Sequence, residues 1–199
     1  MSYVAARKNG EIGAPLVFTF HGTGGSEDQF HGFVQGLLPE ASVVSPRGDV
    51  SEMGSNRYFK RTGEGVYDMD DLARRTEAMA AFLKSEIERL RPSRVMGLGY
   101  SNGANILIAV ALKYPDIFDD MVVMHPLIPW TPEPQPGLKG RRILMTLGQN
   151  DPICPMPLNH ALLAYLEQQG AEVETVVHPG GHDIRPEEVD GITAFMAPQ

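Results

Sequence analysis

The sequence has few of the features that mark disulfide-stabilised or membrane-embedded proteins. It contains a single cysteine, Cys154, so no disulfide can form within the chain, which fits a reducing compartment. No apolar run approaches the length that spans a membrane, and the first eight residues show no apolar signal core. We therefore expect a cytoplasmic protein without a membrane span.

Basic residues and cofactor motifs are also scarce. The chain has 17 Lys and Arg against 25 Asp and Glu, a formal net charge of −8. Nucleic acids and anionic membranes attract basic surfaces, so this charge argues against both as partners. The sequence has no His-Glu-x-x-His pattern, no P-loop and no Gly-x-Gly-x-x-Gly fingerprint. We expect neither a metal nor a cofactor.

Strand-like and helix-like segments alternate along the chain. Short runs of β-branched and apolar residues predict strands, and longer stretches with apolar residues at three- and four-residue steps predict helices. The predicted strands cover residues 2–7, 16–20, 43–45, 94–98, 121–124, 142–147 and 172–177, and the predicted helices cover 26–38, 68–91, 104–113, 157–169 and 186–196. For 199 residues, this order predicts a single α/β domain, a mostly parallel central sheet with helices on both faces. Residues 46–65 are expected to form a long functional loop.

One stretch carries the pattern of a nucleophile elbow. Gly99-x-Ser101-x-Gly103 lies between a predicted strand and a predicted helix, where a sharp turn can expose a serine at its tip. The glycines allow the strand and the helix to approach each other closely. The pattern alone is weak, because a Gly-rich turn with an ordinary serine has the same letters. Other groups must complete a site.

Candidate partners for Ser101 also follow predicted strands, whose carboxyl ends meet at one edge of a parallel sheet. A serine nucleophile needs a base, and the base needs a group that orients it. His182, after the last strand and two glycines, is the preferred base, and His125 is the second choice. Asp151, after the strand at 142–147, completes the chain order Ser, Asp, His of the α/β-hydrolases.

Stabilisation of an oxyanion requires donors that already point at it. The backbone N–H groups of Asn102 and Thr23 are the candidates, the latter within the Gly-rich segment 21–25, where His21 is expected to brace the loop. Phosphate binding by this segment is disfavoured, because no lysine follows the glycines. Candidate substrate-binding residues lie on loops after strands: Arg47, Tyr58, Phe59, Leu127 and Trp130.

Taken together, these residues resemble the bacterial phospholipase/carboxylesterase family of α/β-hydrolases, relatives of acyl-protein thioesterases and dienelactone hydrolases. The matching motifs are His21-Gly22-Thr23-Gly24-Gly25, Ser45-Pro46-Arg47-Gly48, Gly99-Tyr100-Ser101-Asn102-Gly103, Gly148-Gln149-Asn150-Asp151-Pro152 and Gly181-His182. Residues 46–52 and 57–61 are most similar to the branch linked to hydroquinone and quinone stress. The resemblance implies Ser101 as nucleophile, Asp151 as acid and His182 as base.

Two departures from the relatives bear on the substrate. Dienelactone hydrolases use a cysteine nucleophile, so Ser101 disfavours their particular chemistry. Acyl-protein thioesterases carry an aspartate after the glycine loop, where this chain has Gly25-Ser26, which disfavours long-chain lipids.

We therefore expect a carboxylesterase-type serine hydrolase acting on a small-molecule ester. Two alternatives stay open: a thioesterase or lactone hydrolase, and a non-catalytic protein that binds aromatic ligands on the same fold. A homodimer is also left open.

Overall fold

A seven-stranded β-sheet runs through the middle of the structure, a computed structural model that describes residues 3–197. The strands within this range are β1 (Ala5–Lys8), β2 (Leu16–Phe20), β3 (Ser42–Pro46), β4 (Val50–Glu52), β5 (Ser55–Arg57), β6 (Arg61–Gly63), β7 (Val66–Tyr67), β8 (Val95–Tyr100), β9 (Asp120–Met124), β10 (Arg142–Gly148) and β11 (Glu172–His178). The α-helices are α1 (His31–Leu37), α2 (Met69–Leu90), α3 (Asn102–Lys113), α4 (Met156–Gln168) and α5 (Pro186–Met196), and Pro136–Leu138 forms a turn of 3₁₀ helix.

The strand order of the large sheet is β1-β3-β2-β8-β9-β10-β11. All neighbouring strands are parallel except β1, which pairs antiparallel with β3. The chain moves from β2 to β3 on one side and then returns to β8 on the other, so the order reverses beside β2. Ligands of open parallel sheets bind in the crevice at such a reversal, beyond the carboxyl ends of the strands.

Helices cover both faces of the sheet. One buried cluster joins residues of α2, α3 and α4 to the side chains of one sheet face, including Phe18 and Val123. A second cluster joins α1 and α5 to the other face, through Val17 and Leu98. Successive residues of one strand thus face different clusters, as the period of two requires. The predicted α/β architecture with helices on both faces is confirmed.

Two predictions about local structure are wrong. The first helix begins at His31 rather than at residue 26, because the segment before it folds into turns. There the Gln29 side chain accepts the Gly22 backbone N–H at 2.9 Å, and Gln29 N–H donates to the Ser26 carbonyl. These contacts close residues 22–29 into a loop that cannot continue as a helix.

Residues 46–65 are not an irregular loop, since they contain most of two β-hairpins. Strand β4 pairs antiparallel with β5, and β6 pairs antiparallel with β7. Met53 and Gly54 both have positive φ, 48° and 85°, which suits a two-residue hairpin turn. In the sequence, Gly54 at the second turn position is the one residue that indicates this turn.

Two further observations concern the ends of the chain and membranes. The first strand, β1, begins at Ala5, three residues later than predicted, and the predicted start at Ser2 lies outside the described residues. Across residues 3–197, no helix has both the length and the apolar character needed to cross a membrane.

Candidate active site

Ser101 sits at the turn between β8 and α3, in a backbone conformation that few side-chain-bearing residues adopt. Its φ is 52° and its ψ is −118°. The turn is held by the Ser101 N–H, which donates to the Met124 carbonyl at 2.9 Å. A Cβ on Gly99 would lie 2.6 Å from the Gly103 carbonyl, and one on Gly103 would lie 2.3 Å from the Phe20 carbonyl. Both glycines are therefore required by close backbone approach.

The structure brings Ser101, His182 and Asp151 together. The Oγ of Ser101 lies 2.9 Å from Nε2 of His182. The Nδ1 atom of the same ring lies 2.7 Å from Oδ2 of Asp151. Since the Nδ1 contact is with a carboxylate, Nδ1 carries the proton and Nε2 is free to accept one from the hydroxyl. The three side chains have the hydrogen-bond order that a serine nucleophile needs.

The loop that carries His182 is held by β10 and its extension. The Asn150 N–H donates to the Gly180 carbonyl at 3.0 Å. A Cβ on Gly148 would lie 2.0 Å from the Gly181 carbonyl, so glycine at this strand end lets the loop fold over the sheet edge. The Tyr100 hydroxyl donates to the His182 carbonyl at 2.5 Å. The backbone of the loop that carries the imidazole is thus held at three consecutive residues, 180 to 182.

Asp151 is buried, yet its carboxylate remains ionised. Burial alone would raise the pKa of Asp151, but hydrogen bonds from the backbone N–H of Cys154, from His182, from His125 and from the backbone N–H of Ile153 outweigh it and lower the pKa. The two backbone donors lie at 2.9 and 2.8 Å from Oδ1. The carboxylate therefore stays charged beside the imidazole at neutral pH.

Thr23 and Asn102, the two predicted oxyanion donors, both line the cavity at Ser101. Asn102 is the first residue of α3, so its N–H has no acceptor within the helix. Thr23 is fixed through its side chain, whose Oγ1 accepts from Nη1 of Arg57 at 2.8 Å. His21 braces this segment as expected, because its Nε2 accepts the Gly48 N–H and its Nδ1 contacts the Gly22 carbonyl.

The β4–β5 hairpin also supports the Gly-rich segment. The Gly24 N–H donates to the Asn56 carbonyl at 2.9 Å, and Asn56 Nδ2 donates to the Gly25 carbonyl at 2.8 Å. Next to the hairpin, the Tyr58 N–H donates to the side-chain oxygen of Asn102 at 2.7 Å. Arg57 at the end of the hairpin and the adjacent Tyr58 thus contact both candidate oxyanion donors, Thr23 and Asn102.

The cavity at Ser101 has a volume of about 300 Å³. Of the five predicted substrate-binding residues, Leu127 lies in its wall, and the other four do not. Tyr58 and Phe59 are fully buried core residues. Arg47 forms an ion pair with Glu27 instead, at 2.5 Å. Trp130 reaches the site indirectly, with its ring 6.1 Å from that of Tyr67, which does line the cavity.

Sequence reasoning missed most of the cavity wall. Its remaining members come from the two hairpins, from the end of β8, from α3 and from the segment after β10: Arg57, Arg61, Glu64, Gly65, Tyr67, Tyr100, Asn105 and Ile153. Asn105 lies one helical turn after Ser101, and its side chain binds the Leu127 N–H at 2.7 Å. The i, i+4 spacing from the serine was the one signal that could have indicated Asn105.

Two groups of side chains in residues 3–197 have a composition that could ligate a metal: His125, Asp151 and His182, and His125, His178 and Glu188. Their facing atoms lie 2.7–3.2 Å apart, the distances of hydrogen bonds and ion pairs. We therefore interpret both groups as ion-pair networks and assign them no metal.

A parallel sheet with a reversal at β2, an elbow serine and a histidine–aspartate pair define the α/β-hydrolase class of protein. A model of the dienelactone hydrolase family matches residues 53–184. MhqD of Bacillus subtilis (strain 168), a protein assigned to the hydrolases, is 32% identical over 177 residues, 88% of each chain. The chain belongs to the dienelactone hydrolase family.

Solved structures agree with this assignment. The protein Atu2452 of Agrobacterium tumefaciens str. C58 is 51% identical with a TM-score of 0.93, over 98% of this chain and 95% of that one. A carboxylesterase of Bacillus cereus is 31% identical with a TM-score of 0.91, over 97% of this chain and 92% of that one. The resemblance drawn from the sequence is confirmed, and the chain is a hydrolase of the dienelactone hydrolase and carboxylesterase type.

Proposed function

We propose that the protein is a serine hydrolase that cleaves small carboxylic esters through an acyl-enzyme intermediate. The observation that carries this proposal is the continuous contact from Ser101 Oγ through the His182 ring to Asp151, at 2.9 and 2.7 Å. The likeness to a carboxylesterase of Bacillus cereus supports the choice of esters.

The reaction begins at Ser101 Oγ, which attacks the acyl carbon while His182 Nε2 accepts the hydroxyl proton. The resulting imidazolium is stabilised by Asp151, whose Oδ2 lies 2.7 Å from Nδ1. When the tetrahedral intermediate collapses, Nε2 donates its proton to the leaving alkoxide and the alcohol departs. Water then attacks the acyl-enzyme, with His182 again as base, and releases the acid and free Ser101.

The oxyanion is proposed to bind the backbone N–H groups of Thr23 and Asn102. The Asn102 N–H is at the start of α3, where the helix leaves its first donors unused and adds a favourable dipole. Loss of such a donor typically lowers kcat by roughly 10²–10³-fold.

The size of the cavity favours a small substrate. A volume of about 300 Å³ is at the lower end of the range of ligand pockets. We therefore expect short acyl chains to be hydrolysed faster than long ones.

The test is hydrolysis of p-nitrophenyl esters from acetate to octanoate by the wild type, by Ser101→Ala and by the control Ser51→Ala. Ser51 lies exposed on the β4–β5 hairpin. We expect the wild type and the control to turn over, and Ser101→Ala to lose about 10⁴-fold or more in kcat. Equal activity of Ser101→Ala and wild type would refute the assignment of the nucleophile.

Lactones are the second candidate substrates, because the family model that matches is that of the dienelactone hydrolases. Thioesters would use the same three side chains. Relative kcat/KM values on a matched oxygen ester, sulfur ester and lactone separate these substrate classes. A protein that binds aromatic ligands without turnover would hydrolyse none of them.

A further inference from the structure

A second histidine, His125, contacts the carboxylate of Asp151. Its Nδ1 lies 2.9 Å from Oδ2, the same oxygen that His182 Nδ1 approaches at 2.7 Å. The other oxygen, Oδ1, accepts the N–H groups of Ile153 and Cys154. Asp151 thus has four donors, and His125 is the one side chain among them that lies outside the proposed triad.

The contacts continue beyond His125 to Glu188 of α5. His125 Nε2 lies 3.0 Å from Oε1 of Glu188, an ion-pair distance, although the N–H direction is not that of a hydrogen bond. Glu188 also accepts from the Thr146 hydroxyl at 2.5 Å and from the Arg185 N–H at 2.6 Å. His178 Nε2 lies 3.2 Å from its Oε2. The side chains of His125, Asp151 and Glu188 are fully buried.

The position of His125 between two buried carboxylates determines its charge. A neutral imidazole has one N–H and one lone pair, so one carboxylate oxygen would face a lone pair. The imidazolium carries a proton on both nitrogens, so Nδ1 donates to Asp151 and the protonated Nε2 lies at ion-pair distance, 3.0 Å, from Oε1 of Glu188. Burial alone would lower the pKa of His125, but its contacts with Glu188 and Asp151 outweigh burial and raise the pKa.

We propose that His125 is a positioning residue for the hydrolysis: a charged imidazolium that bridges Asp151 and Glu188, holds the Asp151 carboxylate toward His182, and offsets part of its negative charge. The inference rests on the proposed serine-hydrolase function. Since His125 offsets part of the negative charge of Asp151, activity should persist to lower pH than with Asp151 alone.

Other titratable groups near His125 do not change this charge balance. Burial raises the pKa of Tyr100 to about 12 and raises the pKa of Cys154, so the phenol and the thiol stay neutral. His178 accepts the Gly180 N–H at Nδ1, which leaves no proton on that nitrogen. Besides the two carboxylates, the groups that face or contact His125 are His178, His182, Tyr100 and Cys154.

The experiment compares pH profiles of kcat/KM for wild type, His125→Asn, Glu188→Gln and the control His160→Asn, whose exposed histidine lies on α4. Asparagine suits the positive φ of 49° at position 125. The acidic midpoint is the pH at which kcat/KM falls to half of its maximum on the acidic side of the profile. The rings of His125 and His182 are 5.2 Å apart, so loss of the charge at His125 should move this midpoint by at most about two pH units.

The two variants should shift the profile in opposite directions. His125→Asn leaves both carboxylates without their cation, so the acidic midpoint should rise by about one pH unit. Glu188→Gln removes a buried negative charge while Asp151 still faces His125, so the midpoint should fall by about half a unit. The control should not move. A merely structural role would lower stability without opposite shifts, and shifts in the same direction, or no shift in either variant, would overturn the proposal.

A measurement on the wild type keeps the inference testable if either variant fails to fold. In a nitrogen-15 NMR titration of labelled histidines, both ring nitrogens of His125 should stay protonated to a higher pH than those of an isolated imidazole. Loss of a proton from the His125 ring at or below the pH at which an isolated imidazole loses it would overturn the inference. Failure of Ser101→Ala to lose activity would instead refute the proposed function, so the two failures are distinguishable.

Discussion

Replacement of Gly103 by alanine should disrupt the contact between α3 and β2. The added Cβ would lie 2.3 Å from the Phe20 carbonyl oxygen and 2.5 Å from the His21 carbonyl oxygen, far inside van der Waals contact. Both obstacles are backbone atoms of a central strand and its extension, so no side chain can rotate away. The helix must therefore move from the strand, and Ser101 moves with it.

The cost of this change can be estimated from overpacked cores. Insertion of one methyl group against a fixed backbone costs about 3 kcal/mol, the upper part of the usual range. For a chain of this length, that corresponds to a loss of roughly 6–12 °C in Tm. Because Ser101 would also shift relative to Thr23, kcat/KM on p-nitrophenyl acetate should fall by about 100-fold.

The assay is thermal unfolding and esterase activity, with Gly32→Ala as the matched control. A Cβ on Gly32 in α1 would meet no atom within 4 Å, so alanine should raise the stability of that helix by about 0.5 kcal/mol. A Gly103→Ala protein with a Tm within about 2 °C of wild type and activity within about threefold would refute the close-packing account of the elbow.

Asp71, Asn56 and Cys154 allow three simpler tests. Burial alone would raise the pKa of Asp71, but the Lys60 N–H and nearby arginines outweigh burial and lower it. The Asp71 carboxylate therefore stabilises the fold fully above about pH 4, the pKa of aspartate in an unfolded chain, and this contribution is lost as the pH falls through the lower pKa of the folded state. Asp71→Asn should cost about 1–2 kcal/mol in urea unfolding at neutral pH and progressively less as the pH is lowered; a cost that does not change with pH would contradict this. Asn56→Ala frees the Gly25 carbonyl and should lower kcat about tenfold with little change in Tm, whereas an unchanged kcat would show that the hairpin contact is dispensable. Burial raises the pKa of Cys154, so iodoacetamide should label it only after unfolding, and stoichiometric labelling of native protein would contradict that expectation.

The parts of the fold that could be predicted are those with strong local signals. The elbow at Ser101 requires glycines at fixed positions, and the apolar strands and long helices have clear periods. Because every candidate group follows a strand, the sheet topology itself brings Ser101, Asp151 and His182 to one edge. Their contact distances agree with that expectation, while their catalytic roles stay proposals.

The parts that could not be predicted depend on non-local packing. Strands β4 to β7 have two or three residues each, too short to show a period, so neither the hairpins nor the cavity wall they form was visible. Tyr58 and Phe59 were expected at the substrate but are buried, because aromatic residues after a strand fit the core equally well. The contact of His125 with Glu188 joins the end of β9 to α5, more than 60 residues later, with no pattern linking the two. A homodimer stays a prediction.

Trapping of the acyl-enzyme tests the serine mechanism most directly. The protein would be mixed with p-nitrophenyl acetate, quenched with acid during the first turnovers, digested and analysed by mass spectrometry. We predict one acetyl group on the peptide that contains Ser101, and none on Ser101→Ala. Release of p-nitrophenol with no acetyl group at Ser101, or with the acetyl group on another residue, would contradict the mechanism.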